Sequence, residues 1–324
     1  MKFSLIICLF ALLCSCSAPN PQPNNTQEWM QTNGRLKVLS TTAMIDDIVK
    51  RVGGHFVDSI TLIKGELDPH SYQLVKGDDE KLAFADIIFS NGLGLEHGAT
   101  LQSFLSEESK VIPLANRVIE DEPSLLLYYK GQPDPHIWMD ISLWTKIISH
   151  IVNTLSSKDP SHEEYYHKNG KTLLETMLNA HEAAKEKIQL LPSSKRYLVT
   201  SHDAFNYFTR AYLAVPGEND HSLHERFAAP EGLAPESQIS STDIQGIIEH
   251  LQSYNIHVIF PESNVNRDSI RKIVEAAKSK GLNVRIATTP LYADAMGPPG
   301  SDGDTYLKMI QHNIDVFFNN IKGD

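Results

Sequence analysis

The sequence predicts an α/β protein in which two parallel-sheet domains are joined by one long helix. Three observations predict this fold. Strand-like and helix-like segments alternate from residue 35 onward, the alternation stops across residues 161–191, and it restarts after residue 192. Strands that alternate with helices of ten or more residues are typical of βαβ units and parallel sheets. A chain of 324 residues is also long enough for two domains of about 150 residues each.

The N-terminal domain, residues 35–160, is predicted to open with a strand and an amphipathic helix that ends at Gly53 and Gly54. Its strands are predicted at 36–40, 57–63, 86–90 and 110–114, and its helices at 43–52, 74–85 and 142–155. The C-terminal domain, residues 192–324, repeats the alternation. Its strands are predicted at 197–200, 256–260 and 284–287, and its helices at 204–212, 242–254, 268–280 and from 304 onward.

Residues 161–191 contain no strand-like segment and are predicted to form the linking helix. Pro160 and Pro192 flank the stretch as start and stop signals. Apolar residues recur at spacings of three and four and give this helix one apolar face: Leu173, Met177, Ala180, Ala184, Ile188 and Leu191. A helix over the whole stretch is about 45 Å long and can connect two domains as a semi-rigid spine. Gly170 weakens it locally. The alternative is an ordinary surface helix of one domain.

The first residues are predicted to be a targeting signal. Lys2 precedes an apolar run that is shorter than the about 20 residues of a membrane-spanning helix, but typical of a signal peptide. The sequence L-C-S-C that ends at Cys16 resembles a bacterial lipobox. Residues 1–15 are therefore predicted to be removed, with a lipid on Cys16 and a polar, proline-containing tether over residues 16–34. The alternative is a plain secretory signal that is cleaved nearby.

Composition excludes several classes of function. With a formal net charge of −11 the chain lacks the basic surface that nucleic acids require, so no nucleic-acid partner is expected. The three cysteines, Cys8, Cys14 and Cys16, all precede the folded part. Disulfides, cysteine-ligated zinc, iron–sulfur clusters and cysteine nucleophiles are thus excluded from that part. Any metal there must be bound by imidazole and carboxylate groups.

Two of the fourteen histidines lie in a repeated motif. The pattern D-P-H-x-aromatic occurs at His70 and again at His136. In each copy the proline fixes its own φ and keeps the preceding aspartate extended, so the imidazole is presented from a stiffened loop. A turn alone needs the aspartate and the proline, but neither the histidine nor the aromatic residue. We therefore expect both histidines to be metal ligands; two similar turns are the alternative.

Two further candidate ligands follow predicted strands. His202 comes directly after a strand and at the start of a predicted helix, where α/β sheets place ligands, although Asp203 beside it is a candidate helix N-cap. Asp294 follows the strand near residue 287. With the two motif histidines, these residues would supply three nitrogens and one carboxylate from both domains. A carboxylate or carbonyl group is expected to fix each imidazole tautomer, and Asp68 and Asp134 are candidates for that role.

These segments resemble the metal-binding lipoproteins of ABC importers for manganese, zinc or iron, known as cluster A-I. The resemblance runs from about residue 36 to residue 321 and rests on the motifs D-P-H-S-Y, S-N-G-L-G-L-E, D-P-H-I-W, S-H-D-A-F-N-Y-F, P-E-G-L-A-P-E-S-Q-I and L-Y-A-D. It implies two α/β domains bridged by one long helix, with a metal ion in the cleft between them. The ligands that it implies are His70, His136, His202 and Asp294. At the third of these positions the family has either His or Glu.

The resemblance also implies a function without catalysis, namely capture of Mn²⁺, Zn²⁺ or Fe²⁺ outside the cytoplasmic membrane and delivery to an ABC permease. The expected protein is a monomer held at the membrane surface by its lipid. Zinc-specialised members often carry a long histidine-rich loop, and residues 115–135 contain no histidine, which argues against a dedicated zinc scavenger. Three histidines and one aspartate suit all three ions.

Two other classes of function remain open at this point. One is a surface adhesin or interaction module in which the metal is structural. The other is a zinc metallohydrolase that uses the three histidines and a bound water. The chain contains no H-E-x-x-H motif and no G-x-S-x-G nucleophile elbow, so the sequence favours metal transport over hydrolysis.

Overall fold

The computed structural model describes residues 25–218, 220–234 and 239–323. The predicted signal peptide, Cys16 and the first part of the predicted tether lie outside the described residues. The last part of that tether contacts the fold. Asn25–Trp29 form helix α1, the Trp29 side chain is buried, and its indole N–H donates to the Asp58 carbonyl at 2.9 Å. Among the residues described, no helix combines the length and the apolar character needed to cross a bilayer.

The N-terminal half contains a four-stranded parallel sheet. Its strands are β1 (Leu36–Ser40), β2 (Val57–Thr61), β3 (Ile87–Ser90) and β4 (Val111–Pro113). They lie in the order β2-β1-β3-β4, and the register places Val38 beside Ser59 on one side and beside Ile87 on the other. The central strands β1 and β3 are almost entirely buried because helices cover both faces of the sheet.

Six helices and a hairpin complete this half. The helices are α2 (Ala43–Gly53), α3 (Asp78–Phe84), α4 (Ala99–Glu107), α5 (Leu114–Asp121), α6 (Ile141–Trp144) and α7 (Ile147–Lys158). Between α5 and α6 the short strands β5 (Tyr128–Tyr129) and β6 (Gln132–Pro133) pair antiparallel. The hairpin and the residues after it bring the second D-P-H motif to the centre of the molecule.

The long helix of the predicted fold is present. Helix α8 runs over Glu163–Gln189, 27 residues, and is therefore about 40 Å long. All six residues of its predicted apolar face are buried or partly buried. They pack in one hydrophobic core with residues of both halves, from Val38 in β1 to Phe317 near the C-terminus. The spine is thus held to both halves by apolar burial along its length.

The C-terminal half repeats the α/β pattern. Its strands are β7 (Leu198–Val199), β8 (Phe227–Ala228), β9 (Val258–Ile259) and β10 (Arg285–Ile286). Strands β7 and β8 form one parallel pair and β9 and β10 another. The Phe260 N–H donates to the Val199 carbonyl at 2.8 Å and joins the pairs in the order β8-β7-β9-β10. The helices are α9 (Asn206–Phe208), which a π-helical turn (Thr209–Leu213) continues, α10 (Asp220–His224), α11 (Ser241–Ser253), α12 (Asp268–Ser279) and α13 (Tyr306–Lys322).

Several predicted bounds differ from the structure. The helix predicted over 74–85 begins only at Asp78, because the Val75 N–H donates to the Asp78 carboxylate and the Leu74 N–H donates to Thr100 Oγ1. The helix predicted over 142–155 is divided into α6 and α7. Helices α4 and α5 were not predicted, since nine and eight residues are too few for a clear helical period.

One close contact between helices depends on Gly170 in α8. A Cβ atom at this position would lie 2.6 Å from Val152 Cγ2 and 3.3 Å from Ile148 Cγ2. Both neighbours belong to α7. The glycine that weakens the helix locally therefore lets α7 pack directly against the spine.

We expect Gly170→Leu to lower the free energy of unfolding by about 1–3 kcal/mol, because the new side chain overpacks the contact with α7. Urea unfolding of the metal-free protein measures this change. Gly246→Leu in α11 is the matched control, since a Cβ there meets nothing within 4 Å. That variant should gain roughly 0.8 kcal/mol of helix propensity. Equal effects of the two substitutions would contradict the packing argument.

Candidate metal centre

The four residues predicted as ligands come together at the junction of the two halves. His70 lies in the loop after β2, His136 follows the β5–β6 hairpin, His202 follows β7, and Asp294 lies between β10 and α13. All four are buried, with relative exposures from 0% to 3%. One donor atom from each lies within 4.8 Å of the other three. Residues more than 200 positions apart are thus brought together, three of them from loops that follow parallel strands and His136 from the loop that follows the antiparallel hairpin.

The distances in this cluster match those around a small cation. His70 Nε2 lies 3.2 Å from His136 Nε2. Asp294 Oδ2 lies 3.1 Å from His202 Nε2 and 3.7 Å from His70 Nε2, and Asp294 Oδ1 lies 3.5 Å from His136 Nε2. A tetrahedral ion with bonds of 2.0–2.1 Å separates its ligand atoms by about 3.4 Å. The donor atoms are therefore already spaced for such an ion.

Glu262 fixes the orientation of His202. Its Oε1 accepts the backbone N–H groups of Ser201 and His202 at 2.8 and 2.9 Å, and its Oε2 contacts His202 Nδ1. With Nδ1 bound to this carboxylate, Nε2 is directed at Asp294. Sequence reasoning missed Glu262. Its one signal was its position directly after the strand predicted over 256–260, the same type of position that singled out His202.

Asp134 has the corresponding role for His136. Its Oδ1 accepts the His136 backbone N–H at 2.9 Å and lies 2.7 Å from His136 Nδ1. The first aspartate of the other D-P-H motif differs. Asp68 accepts the His70 backbone N–H at 2.8 Å and the Ser71 hydroxyl at 2.7 Å, so it closes its own turn. Of the two predicted tautomer-fixing residues, one contacts its imidazole and the other stabilises the loop.

Asp294 is positioned by two side chains from other elements. The Asn313 amide in α13 donates to the Tyr292 carbonyl at 2.7 Å, and its carbonyl accepts the Tyr292 N–H at 2.8 Å. The Trp138 indole N–H donates to the Ala293 carbonyl at 3.0 Å. The backbone on the N-terminal side of Asp294 is thus held by both halves of the molecule. Its carboxylate faces the three imidazoles without a hydrogen bond of good geometry from any described residue.

Burial and the neighbouring charges shift the pKa values of three of the predicted ligands. Burial by itself lowers the pKa of His202, but the Glu262 and Asp294 carboxylates raise it well above the ordinary value of 6.5. Burial lowers the pKa of His70 well below that value, against the opposing effect of Asp294. Burial opposes ionisation of Asp294, yet the His202 imidazolium holds the pKa of that carboxyl below its usual range. The His202 imidazolium and the Asp294 carboxylate therefore stabilise each other's charged forms.

Burial also raises the pKa of Asp203 to about 7, and the neighbouring Asp134 carboxylate adds to this effect. The Asp203 backbone N–H donates to the Gly232 carbonyl. The Asn206 amide donates to its side chain at 2.7 Å. The N-cap role considered for Asp203 is wrong, because α9 begins at Asn206 and Phe205 holds its N-cap position. The Asp203 carboxylate is instead a buried acceptor for the Asn206 amide.

Two α/β halves joined by a long helix, with a buried His₃Asp cluster between them, define a two-lobed metal-binding protein. The chain belongs to the family described as zinc-uptake complex component A, periplasmic (ZnuA), whose family model matches residues 38–319. The predicted resemblance to the metal-binding proteins of cluster A-I ABC importers is confirmed, and so is the predicted fold class.

Known relatives cover most of this chain. It is 40% identical over 281 residues to the metal-binding protein YtgA of Chlamydia muridarum, covering 86% of this chain and 84% of the relative. It is 33% identical over 292 residues to the manganese-binding lipoprotein MntA of Bacillus subtilis, covering 89% and 90%. The crystal structure of Fe(III)-bound YtgA from Chlamydia trachomatis aligns with a TM-score of 0.83 at 38% identity, covering 88% of this chain and 98% of that one.

The unusual electrostatics of His202 can be tested on the metal-free protein. We expect its imidazole to remain protonated well above pH 6.5, while His70 stays neutral, because the His202 ring lies between the Glu262 and Asp294 carboxylates and the buried His70 ring faces Asp294 alone. NMR titration of the histidine ring signals measures both groups. Glu262→Gln should lower the pKa of His202, since it keeps a backbone acceptor and removes the charge.

Asp68→Asn is the control for this prediction. The Asp68 carboxylate accepts hydrogen bonds within its own turn, so this substitution should leave the pKa of His202 unchanged.

The raised pKa of His202 also makes the stability of the metal-free protein depend on pH. A raised pKa in the folded state stabilises the protein at low pH, and this contribution is lost as the pH rises through the folded-state pKa. Glu262→Gln should therefore destabilise the metal-free protein more in acid than in alkaline solution. A His202 signal that titrates normally in both proteins would contradict the assignment.

Proposed function

We propose that this protein captures a transition-metal ion outside the cytoplasmic membrane and delivers it to an ABC permease, with His70, His136, His202 and Asp294 as the ligands. One observation carries the assignment of the site. Three imidazole Nε2 atoms converge on the two oxygens of a carboxylate that is buried and accepts no well-formed hydrogen bond from any described residue. A buried carboxylate must face positive charge, and a bound cation would supply that charge in place of a protonated His202.

The chemistry of the ligands suits several ions. Neutral imidazoles and a carboxylate bind Mn²⁺, Fe²⁺ and Zn²⁺, and affinity alone follows the Irving–Williams order. The site contains three carboxylates, those of Asp294, Glu262 and Asp134. Together they carry more negative charge than a divalent ion neutralises, so the site also accommodates a trivalent ion. The names of the family and of the relatives include zinc, manganese and Fe(III). The cargo is therefore proposed as a transition-metal ion of this group.

A site for transport differs from a catalytic one. Four buried protein donors can enclose the ion without an obligatory water, whereas a catalytic zinc keeps an open position for water or substrate. We therefore propose binding without catalysis. A purely structural metal is the other alternative, and it is distinguished by whether the ion exchanges without unfolding of the protein.

We expect His136→Ala and Asp294→Ala to weaken metal binding by orders of magnitude, because each removes one of four donors and leaves the others facing a gap. Elemental analysis after dialysis and competition with a chromophoric chelator measure stoichiometry and affinity for Zn²⁺, Mn²⁺ and Fe²⁺. His167→Ala is the matched control, since His167 is exposed on α8 and pairs with Glu163, which is not a proposed ligand.

Circular dichroism of the same samples establishes that the variants are folded. Unchanged metal stoichiometry in a folded His136→Ala protein would overturn the ligand assignment. Mild chelation should remove the ion from the wild-type protein without loss of secondary structure. Unfolding on chelation would instead favour a structural metal.

Membrane attachment through Cys16 is part of the proposal, together with a monomeric state. The family description places its members in the periplasm, and the name of the Bacillus subtilis relative includes the word lipoprotein. Lipid chains hold a protein stably at a bilayer when more than one is attached. A lipid on Cys16 followed by a polar tether would keep the folded part near a permease in the same membrane.

We expect Cys16→Ser to abolish processing at the lipobox, so that the protein no longer gains the mass of a lipid. Mass spectrometry of membrane-extracted protein and detergent phase partitioning measure this change. Cys14→Ser is the control, because Cys14 is predicted to leave with residues 1–15. Lipid of equal mass on the Cys16→Ser protein would exclude this attachment site. Light scattering of the processed wild-type protein without its lipid tests the monomeric state.

A further inference from the structure

The amide of Asn206 bridges two buried carboxylates behind the site. Its Nδ2 lies 3.0 Å from Asp134 Oδ2 and 2.7 Å from Asp203 Oδ1. Asp134 is fully buried, and Asp203 is 3% exposed. Asn206 is the first residue of α9 and belongs to the motif S-H-D-A-F-N-Y-F, but it is not one of the four proposed ligands.

Each of the two carboxylates is connected to a different proposed ligand. Asp134 uses Oδ1 for both the backbone N–H and Nδ1 of His136, so Oδ2 is the oxygen left for Asn206. Asp203 directly follows His202 in the chain. A continuous path therefore runs from an imidazole of the N-terminal half, through two carboxylates and one amide, to an imidazole of the C-terminal half.

An asparagine meets the chemical needs of this position. Its NH₂ group has two N–H donors and no charge, so it can serve two carboxylates at once. A hydroxyl has one donor and would leave one carboxylate oxygen without a partner. A lysine or arginine would add positive charge close to a cation site, and an aspartate would place a third carboxylate against two others.

We propose that Asn206 is a positioning residue that locks the ligand His136 to the ligand His202 and thereby slows release of the metal ion. This inference rests on the proposed metal-binding function. Without the bridge, the buried carboxylates of Asp134 and Asp203 have no shared donor, and the Asp134 carboxylate that holds the His136 ring loses the contact that fixes its Oδ2. Groups that orient metal ligands in this way change metal affinity by about 10–100-fold when they are removed.

Loss of the Asn206 bridge is expected to change the rate at which the metal ion dissociates. An incoming ion needs an open path and four donor groups, which the variant still has. A bound ion stays only while all four donors converge, and that convergence depends on the bridge. We therefore expect Asn206→Leu, which has a similar size and no donor, to raise the dissociation rate constant at least about 10-fold and to leave the association rate constant nearly unchanged.

The experiment uses the full folded chain loaded with Co²⁺, whose visible absorption reports ligand geometry. Dissociation is followed by stopped flow with an excess of chelator, and unfolding of the metal-free protein is measured in parallel. Arg210→Met is the matched control. The Arg210 Nη1 donates to the Leu125 carbonyl at 2.8 Å, so this bond joins neighbouring segments of the same two halves but reaches no proposed ligand.

The proposal predicts faster Co²⁺ release and an altered Co²⁺ spectrum for Asn206→Leu, and little change in either for Arg210→Met. Asn206→Ser, with one donor, should lie between wild type and Asn206→Leu, and it provides the test if the leucine variant does not fold. Equal release rates in wild type and the folded Asn206 variant would overturn the proposal. So would a rate increase of the same size in Arg210→Met, because any contact between the halves would then suffice.

These outcomes are separable from failure of the proposed function. If the wild-type protein binds no Co²⁺, Zn²⁺, Mn²⁺ or Fe²⁺, the metal site itself is wrong. If wild type binds the ion and the Asn206 variants release it at the wild-type rate, only the positioning role is wrong.

Discussion

Burial of opposite charges in one small volume is the constraint on which this structure depends. Three imidazoles and the Asp294 carboxylate are almost completely removed from water where the two halves meet. An isolated carboxylate in such a place is unfavourable by several kcal/mol, so it must face positive charge or donors. In the metal-free protein the imidazolium of His202 supplies that charge. A bound cation would take over that role from the proton.

In each half one imidazole is supported by a buried carboxylate, Asp134 for His136 and Glu262 for His202. Asp134 and Glu262 each use a single oxygen to accept a backbone N–H of the histidine that they support, so ring and main chain are held together. The two carboxylates differ in origin. Asp134 precedes His136 by two residues, whereas Glu262 comes from the neighbouring strand segment, 60 residues after His202. A local motif and a tertiary contact therefore provide the same kind of support, with one carboxylate oxygen at His136 and two at His202.

The long helix and the shared core make this arrangement possible. Helix α8 packs with residues of both halves in one continuous apolar cluster, which fixes the distance between the two sets of strand ends. Hydrogen bonds between the halves then set the positions of the ligands. Asn206 connects the His136 and His202 segments, and Trp138 connects the His136 segment to the backbone beside Asp294. Nonpolar burial brings the halves together, and polar bonds set the ångström-scale spacing that an ion requires.

Most of the alternation of strands and helices, the spine and the four residues that converge could be predicted from the sequence. Periodicity, the repeated D-P-H motif and positions directly after strands are local signals, and the carboxyl ends of parallel strands bring such residues together. Only the tertiary structure decided that Asp68 closes a turn while Asp134 holds a ring, since the two motifs are alike in sequence. It also decided the roles of Glu262 and Asn206. Their partners lie 60 and 72 residues away, and contacts between distant segments follow from the packing of the whole core.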